Sequence, residues 1–118
     1  MVNICFIDDN DVDLELFKNY IRKLDLDYNL SLMTKIQGEY SEFDIVFTDL
    51  NLEGGDRGIV VLNQLRSKCN CPIVVTGLGE VLGESYKNSY MESGLIQGFI
   101  FKEKLSSELI QETIERLI

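Results

Sequence analysis

The chain has 118 residues, 45% of them apolar, a single proline and a mean hydropathy near zero, which suits one folded domain and does not suit a disordered segment. A net charge of −9 without any Lys/Arg cluster disfavours direct nucleic-acid binding, which needs a basic face against phosphate. No apolar run approaches the ~20 residues of a membrane-crossing helix. No basic leader opens the sequence, and Cys5, Cys69 and Cys71 without any histidine suit neither a disulfide framework nor a zinc site, so reduced thiols in the cytoplasm are expected.

Short apolar runs alternate with amphipathic ones along the chain. Residues 2–7 (VNICFI) form a near-continuous apolar run, the signature of a parallel strand covered on both faces. Asp11 to Leu24 follows as a helix, with Asn10 or Asp11 to cap it and a stripe of Val12, Leu14, Leu16, Phe17, Tyr20, Ile21 and Leu24. A second strand is predicted at 29–34 and a third at 44–49 (DIVFTD). Only about ten residues separate them, so the second helix should shrink to a turn or two. Ile36, Tyr40 and Phe43 are then expected to plug a thinly covered side of the sheet.

Arg57 to Lys68 reads as a helix through Ile59, Val60, Leu62 and Leu65. Pro72 opens a fourth strand, 72–76, because proline is tolerated at a strand's first residue. Residues 80–93 form a weaker helix, with Val81, Leu82 and Met91 for the core, and with Tyr86 and Tyr90 four apart on one side. Strand five is 98–101, and Ser106 or Ser107 caps a last helix carrying Leu109, Ile110, Thr113, Ile114 and Leu117. The alternation implies an α/β fold, a doubly wound five-stranded parallel sheet with right-handed crossovers and a shortened second helix, in one domain spanning 1–118.

In such sheets ligands bind beyond the carboxyl ends of the strands. Those ends carry Asp8 and Asp9 after strand one, Asp49 after strand three, Thr76 after strand four and Lys102 after strand five. Carboxylates crowded together raise one another's pKa values. A divalent cation and a lysine relieve that repulsion, and Mg²⁺ suits because it takes one or two carboxylates and accepts phosphate oxygen.

These five residues, in this order and over essentially the whole chain, resemble the response-regulator receiver domain of two-component signalling, a flavodoxin-like fold of strand order 2-1-3-4-5. The resemblance implies a stand-alone aspartyl-phosphate switch and not an enzyme. Asp49 would be the phospho-acceptor. Asp9, Asp49 and the backbone carbonyl of Asn51 would hold Mg²⁺, with Asp8 acting through water. Lys102 would pair with Asp49 and then with a phosphoryl oxygen. Thr76 would hydrogen-bond the phosphoryl group, and Phe99 falls where the family has its aromatic switch. Implied partners are a sensor histidine kinase or a phosphotransfer protein, and a downstream protein or a second copy of the chain on the face formed by residues 80–118.

Four features depart from the family pattern, one being that no output domain is expected after Ile118, so that any signal would pass by protein contact. Glu103 follows Lys102 where the family usually has proline in a cis bond. The segment LNLEGGDRG (50–58) lacks the usual proline and reaches Gly58 one residue late. The second helix is cut short. Glu103 and the altered segment keep open a pseudo-receiver adaptor that is never phosphorylated; a Mg²⁺-dependent phosphohydrolase acting through an aspartyl-phosphate is a remoter alternative. The latter's usual second acid, two residues after the nucleophile, is Asn51 here.

Overall fold

The computed structural model of the chain describes residues 1–49, 58–77 and 79–118, the side chains of 80–83 excepted. Five strands, β1 (Val2–Ile7), β2 (Tyr28–Met33), β3 (Ile45–Asp49), β4 (Ile73–Thr76) and β5 (Gly98–Phe99), make one all-parallel sheet in the order β2-β1-β3-β4-β5. Among the described residues four helices cover it, α1 (Asp11–Arg22), α2 (Gly58–Arg66), α3 (Glu80–Ser93) and α4 (Ser107–Leu117), and a 3-10 turn lies at Lys102–Lys104. This is the doubly wound parallel sheet that the alternation of runs predicts, in the flavodoxin-like order that the resemblance implies.

The alternation of side chains along each strand divides the core in two. Ile4 and Phe6 of β1, Ile45 and Phe47 of β3 and Val74 of β4 face α1 and α4, packing on Leu14, Phe17, Ile21, Ile110 and Ile114. Phe17 is stacked on Phe6, with ring centroids 4.0 Å apart. Cys5, Ile7, Val46, Ile73 and Val75 face the other way, onto Val61, Leu62 and Leu65 of α2 and Tyr90 of α3. All three cysteines are free thiols; Cys5 and Cys69 lie buried in this second layer.

The helix ends follow capping chemistry. Asn10 Oδ1 accepts the N–H groups of Val12 (2.9 Å) and Asp13 (3.2 Å) at the start of α1. Ser106 Oγ accepts that of Leu109 (3.2 Å) at the start of α4. Gly94, at φ +80°, ends α3 in the left-handed conformation that glycine adopts readily.

Between β2 and β3 there is no helix at all, only bends and turns over 34–44. Tyr40 fills the space: it is fully buried, accepts the Gln37 N–H at 3.0 Å and directs its hydroxyl to Met33 Sδ at 3.4 Å. Ile36 and Phe43 pack against the same layer. On that face of β2 the outward residues are Asn29 and Ser31, polar where a covering helix would have needed apolar ones.

Several apolar assignments shift. Val12 is 74% exposed and Leu16 44%, so the buried stripe of α1 is Leu14, Phe17 and Ile21. In α2, Ile59 and Val60 are exposed and Val61, absent from the predicted stripe, is buried with Leu62 and Leu65. Strand five is two residues long, half its predicted length. Met91 is exposed, while Val81 and Leu82 lie outside the described side chains, as Arg57 lies outside the described residues.

Candidate functional site

The sheet register brings the strand-end residues level. Ile7 pairs with Thr48, and Asp49 pairs with Thr76, so Asp8, Asp49 and Thr76 follow one another across three adjacent strands. All three fall on the parity that faces α1 and α4. Their side chains therefore emerge on one side, at the carboxyl edge of the sheet. Asp8, Asp49 and Thr76 are buried, whereas Asp9, just past the strand, is exposed. They line a cavity of about 340 Å³ with Lys102, which enters from the 3-10 turn after β5.

Neither acid of the Asp8–Asp9 pair caps α1, because Asn10 does so. Asp8 Oδ1 instead accepts the Asn10 N–H at 2.9 Å, which anchors its carboxylate at the mouth of the helix. One carboxylate oxygen each from Asp8, Asp9 and Asp49 lies within 4.8 Å of the others. Burial pushes the Asp8 carboxyl up to about 7; the Asn10 N–H opposes the rise, and the charges of Asp49, Asp13 and Asp9 add to it. Crowded acids of this kind fit Mg²⁺. Oxygens around Mg²⁺ at ~2.0–2.1 Å stand roughly 3–4 Å apart, so a small closure of the cluster would meet that need.

The walls contain residues that the sequence pattern did not single out. Gly77, at φ +98°, lies against Asp49: a Cβ there would stand 2.9 Å from Asp49 Cγ, and closer still to a carboxylate oxygen. Only glycine permits this approach in this conformation. Asp13, Leu16, Tyr20 and Leu105 complete the cavity. The signal that could have found Asp13 is its spacing, three residues after Asn10 on one side of the helix. Leu16, expected in the core, is instead an exposed wall of the site, while Tyr20 packs on the core as expected and lines the cavity as well.

Phe99 stands apart. It pairs with Val75 on the opposite parity, half-buried against the α2–α3 layer, and does not line the cavity. Its ring is 5.4 Å from that of Phe101, and the ammonium groups of Lys87 in α3 and Lys104 lie over Phe101 at 5.4 and 5.8 Å. The aromatic pair thus links the end of β5 to α3. Asn51, and with it the segment 50–57, lies outside the described residues.

The sequence matches no protein-family model and no curated protein. Solved structures do match. A response regulator receiver domain protein from Clostridium thermocellum aligns with a TM-score of 0.77 at 14% identity, over 100% of this chain and 94% of that one. A two-component response regulator from Clostridium difficile gives 0.70 at 19% identity, over 99% and 95%. The P1 domain of CheA3 in complex with CheY6 from R. sphaeroides contains a chain that gives 0.72 at 17% identity, over 98% and 95%.

The chain has the receiver-domain fold. Within that fold, Asp8, Asp9, Asp49, Thr76 and Lys102 share one cavity. The peptide bond between Lys102 and Glu103 is trans, as are the other described bonds.

Proposed function

We propose that this receiver domain is a signalling switch in which Asp49 takes a phosphoryl group from a histidine kinase, a phosphotransfer protein or a small phosphodonor. The observation that carries the reading is the convergence of three carboxylates, a hydroxyl and an ammonium group on one cavity at the carboxyl edge of the sheet. Asp49 is the acceptor because it is the central carboxylate, flanked by Asp8 on one strand and Thr76 on the other. One of its oxygens would bond to phosphorus as the donor's bond to phosphorus breaks and the leaving group departs with that electron pair. Mg²⁺ held by Asp8, Asp9 and Asp49, with the carbonyl of Asn51, would offset the negative charge of acid and phosphoryl oxygens.

The chain's own groups do the rest. Lys102, exposed and lining the cavity, supplies a positive charge suited to a phosphoryl oxygen. Thr76 can donate its hydroxyl to another. Gly77 leaves the space that Asp49 occupies. A phosphoryl group brings charge and acceptor oxygens to this point, and the loop after Thr76 leads directly into α3. The output would be a protein contact on the face drawn from residues 80–118, in the cytoplasm. The structure of the CheA3 P1 domain with CheY6 makes a histidine-kinase system a sensible partner class to test.

Asp49→Asn is the direct test, because it removes the nucleophile with almost no change in volume. Incubated with acetyl phosphate and Mg²⁺, the wild type should gain an acid-labile phosphoryl group and the variant none. Full labelling of the variant would overturn the assignment; an unlabelled wild type would favour the adaptor reading.

A further inference from the structure

Two glycines of the loop between β4 and α3 each receive a carboxylate from elsewhere. Asp49 lies against Gly77. Glu103 lies against Gly79, with its Oε2 and Oε1 at 3.3 and 3.8 Å from where a Cβ would stand. Gly79 is the N-cap of α3, a helix of 14 residues, and has no side chain with which to cap it. The first N–H groups of a helix lack intrahelical partners and carry the positive end of its dipole, so a carboxylate placed there is stabilising. Glu103 therefore stands where an N-cap side chain would act, supplied from 24 positions further along the chain.

The neighbour of Glu103 is Lys102. Both belong to the 3-10 turn Lys102–Lys104, which is held internally by Lys104 N–H to Phe101 O (3.0 Å) and a longer Leu105 N–H to Lys102 O (3.4 Å). Lys102 faces the cavity and Glu103 faces the loop. Fixing Glu103 fixes the backbone from which Lys102 projects. It also ties that backbone to the segment carrying Thr76 and Gly77. A turn this short has little rigidity of its own.

We propose that Glu103 is a positioning residue: by closing the start of α3 across Gly79, it holds Lys102 and Thr76 at a fixed separation over Asp49. The proposal rests on the phosphotransfer reading above for its consequence, and on the Gly79–Glu103 contact for its geometry. It gives the charged residue after Lys102 a task.

The test compares Glu103→Ala and Glu103→Gln with the wild type, by hydrogen exchange and by phosphorylation over a series of acetyl phosphate and Mg²⁺ concentrations. Loss of a cap is expected to speed exchange over residues 79–84 roughly tenfold, the ratio equivalent to about 1.4 kcal/mol. In Glu103→Ala the maximal phosphorylation rate should fall by a similar factor, while half-saturating Mg²⁺ stays unchanged, because the carboxylates at 8, 9 and 49 are untouched. Glu103→Gln retains an acceptor oxygen and should recover much of both. Wild-type exchange and rate in Glu103→Ala would overturn the proposal. Faster exchange with an unaltered rate would overturn it too, reducing Glu103 to a structural cap. If the wild type takes no phosphoryl group, the phosphotransfer reading falls, and unchanged or faster exchange in Glu103→Ala decides whether the clasp exists.

Discussion

At the scale of residues, the cavity holds more negative charge than its burial favours, and this has a consequence for pH. The Asp8 carboxyl titrates near 7 in the folded chain, against an ordinary value near 4 when unfolded. The folded state therefore binds the proton more tightly. Stability from this group is fully present below about pH 4, declines as pH rises towards 7, and stays low above that. Asp8→Asn should accordingly stabilise the metal-free protein at pH 8, with the gain shrinking as pH falls to 5. Urea melts at the two pH values check this, and an equal gain at both would contradict it. Gly77 gives a second prediction. Gly77→Ala adds a Cβ that collides with Asp49 at a positive φ, whereas Gly94→Ala meets open space at a similar φ. Both should destabilise, Gly94→Ala by about 1 kcal/mol and Gly77→Ala by more, roughly 2–4 kcal/mol, unless Asp49 is displaced. Equal urea midpoints for the two variants would show that the Asp49 approach is not tight.

At the scale of elements, the connection between β2 and β3 is the point where a side chain stands in for a helix. Tyr40 is fully buried, and its hydroxyl accepts from one backbone N–H while facing a thioether. Tyr40→Phe should lose about 1 kcal/mol with the hydrogen bond, and Tyr40→Ala about 3–5 kcal/mol with the ring. If denaturant unfolding showed Tyr40→Ala within 1 kcal/mol of Tyr40→Phe, the segment 34–44 would not be plugging the core as described. The shortage of residues between two strong apolar runs made this connection legible. The five strand-end residues that line the cavity were legible for a similar reason: they sit where apolar runs stop abruptly at polar residues. What period alone did not resolve was which apolar residues of a helix turn inward. Ile59-Val60-Val61-Leu62 is apolar at four successive positions, so no polar residue marks its outer face, and Val61 was missed. Gly77 and Glu103 were illegible in their roles because both act through contacts 24 or more residues away in sequence.

At the scale of the whole molecule, the cavity and the α3 face share one loop, the segment from Thr76 into α3. Tyr86 and Tyr90 sit on that helix with ring centroids 5.9 Å apart. Tyr90 is buried on the sheet, while Tyr86 is 44% exposed and so placed to meet a partner. Aromatic anchors of this kind are frequent in protein interfaces. Beryllofluoride with Mg²⁺, a phosphoryl mimic, should change exchange protection chiefly over residues 77–104; changes confined to 50–58 would separate the cavity from this face. Tyr86→Ala should leave the midpoint of unfolding within about 0.5 kcal/mol of the wild type, as surface substitutions do.

In the proposed function Asp49 accepts a phosphoryl group with the help of Mg²⁺. Intact-mass spectrometry of the wild-type chain, incubated with acetyl phosphate with and without Mg²⁺, tests it most directly. The expected result is a single added phosphoryl group in the presence of Mg²⁺, lost on acid treatment and much reduced when the metal is chelated. No mass increase under either condition, or labelling that is indifferent to Mg²⁺, would contradict it.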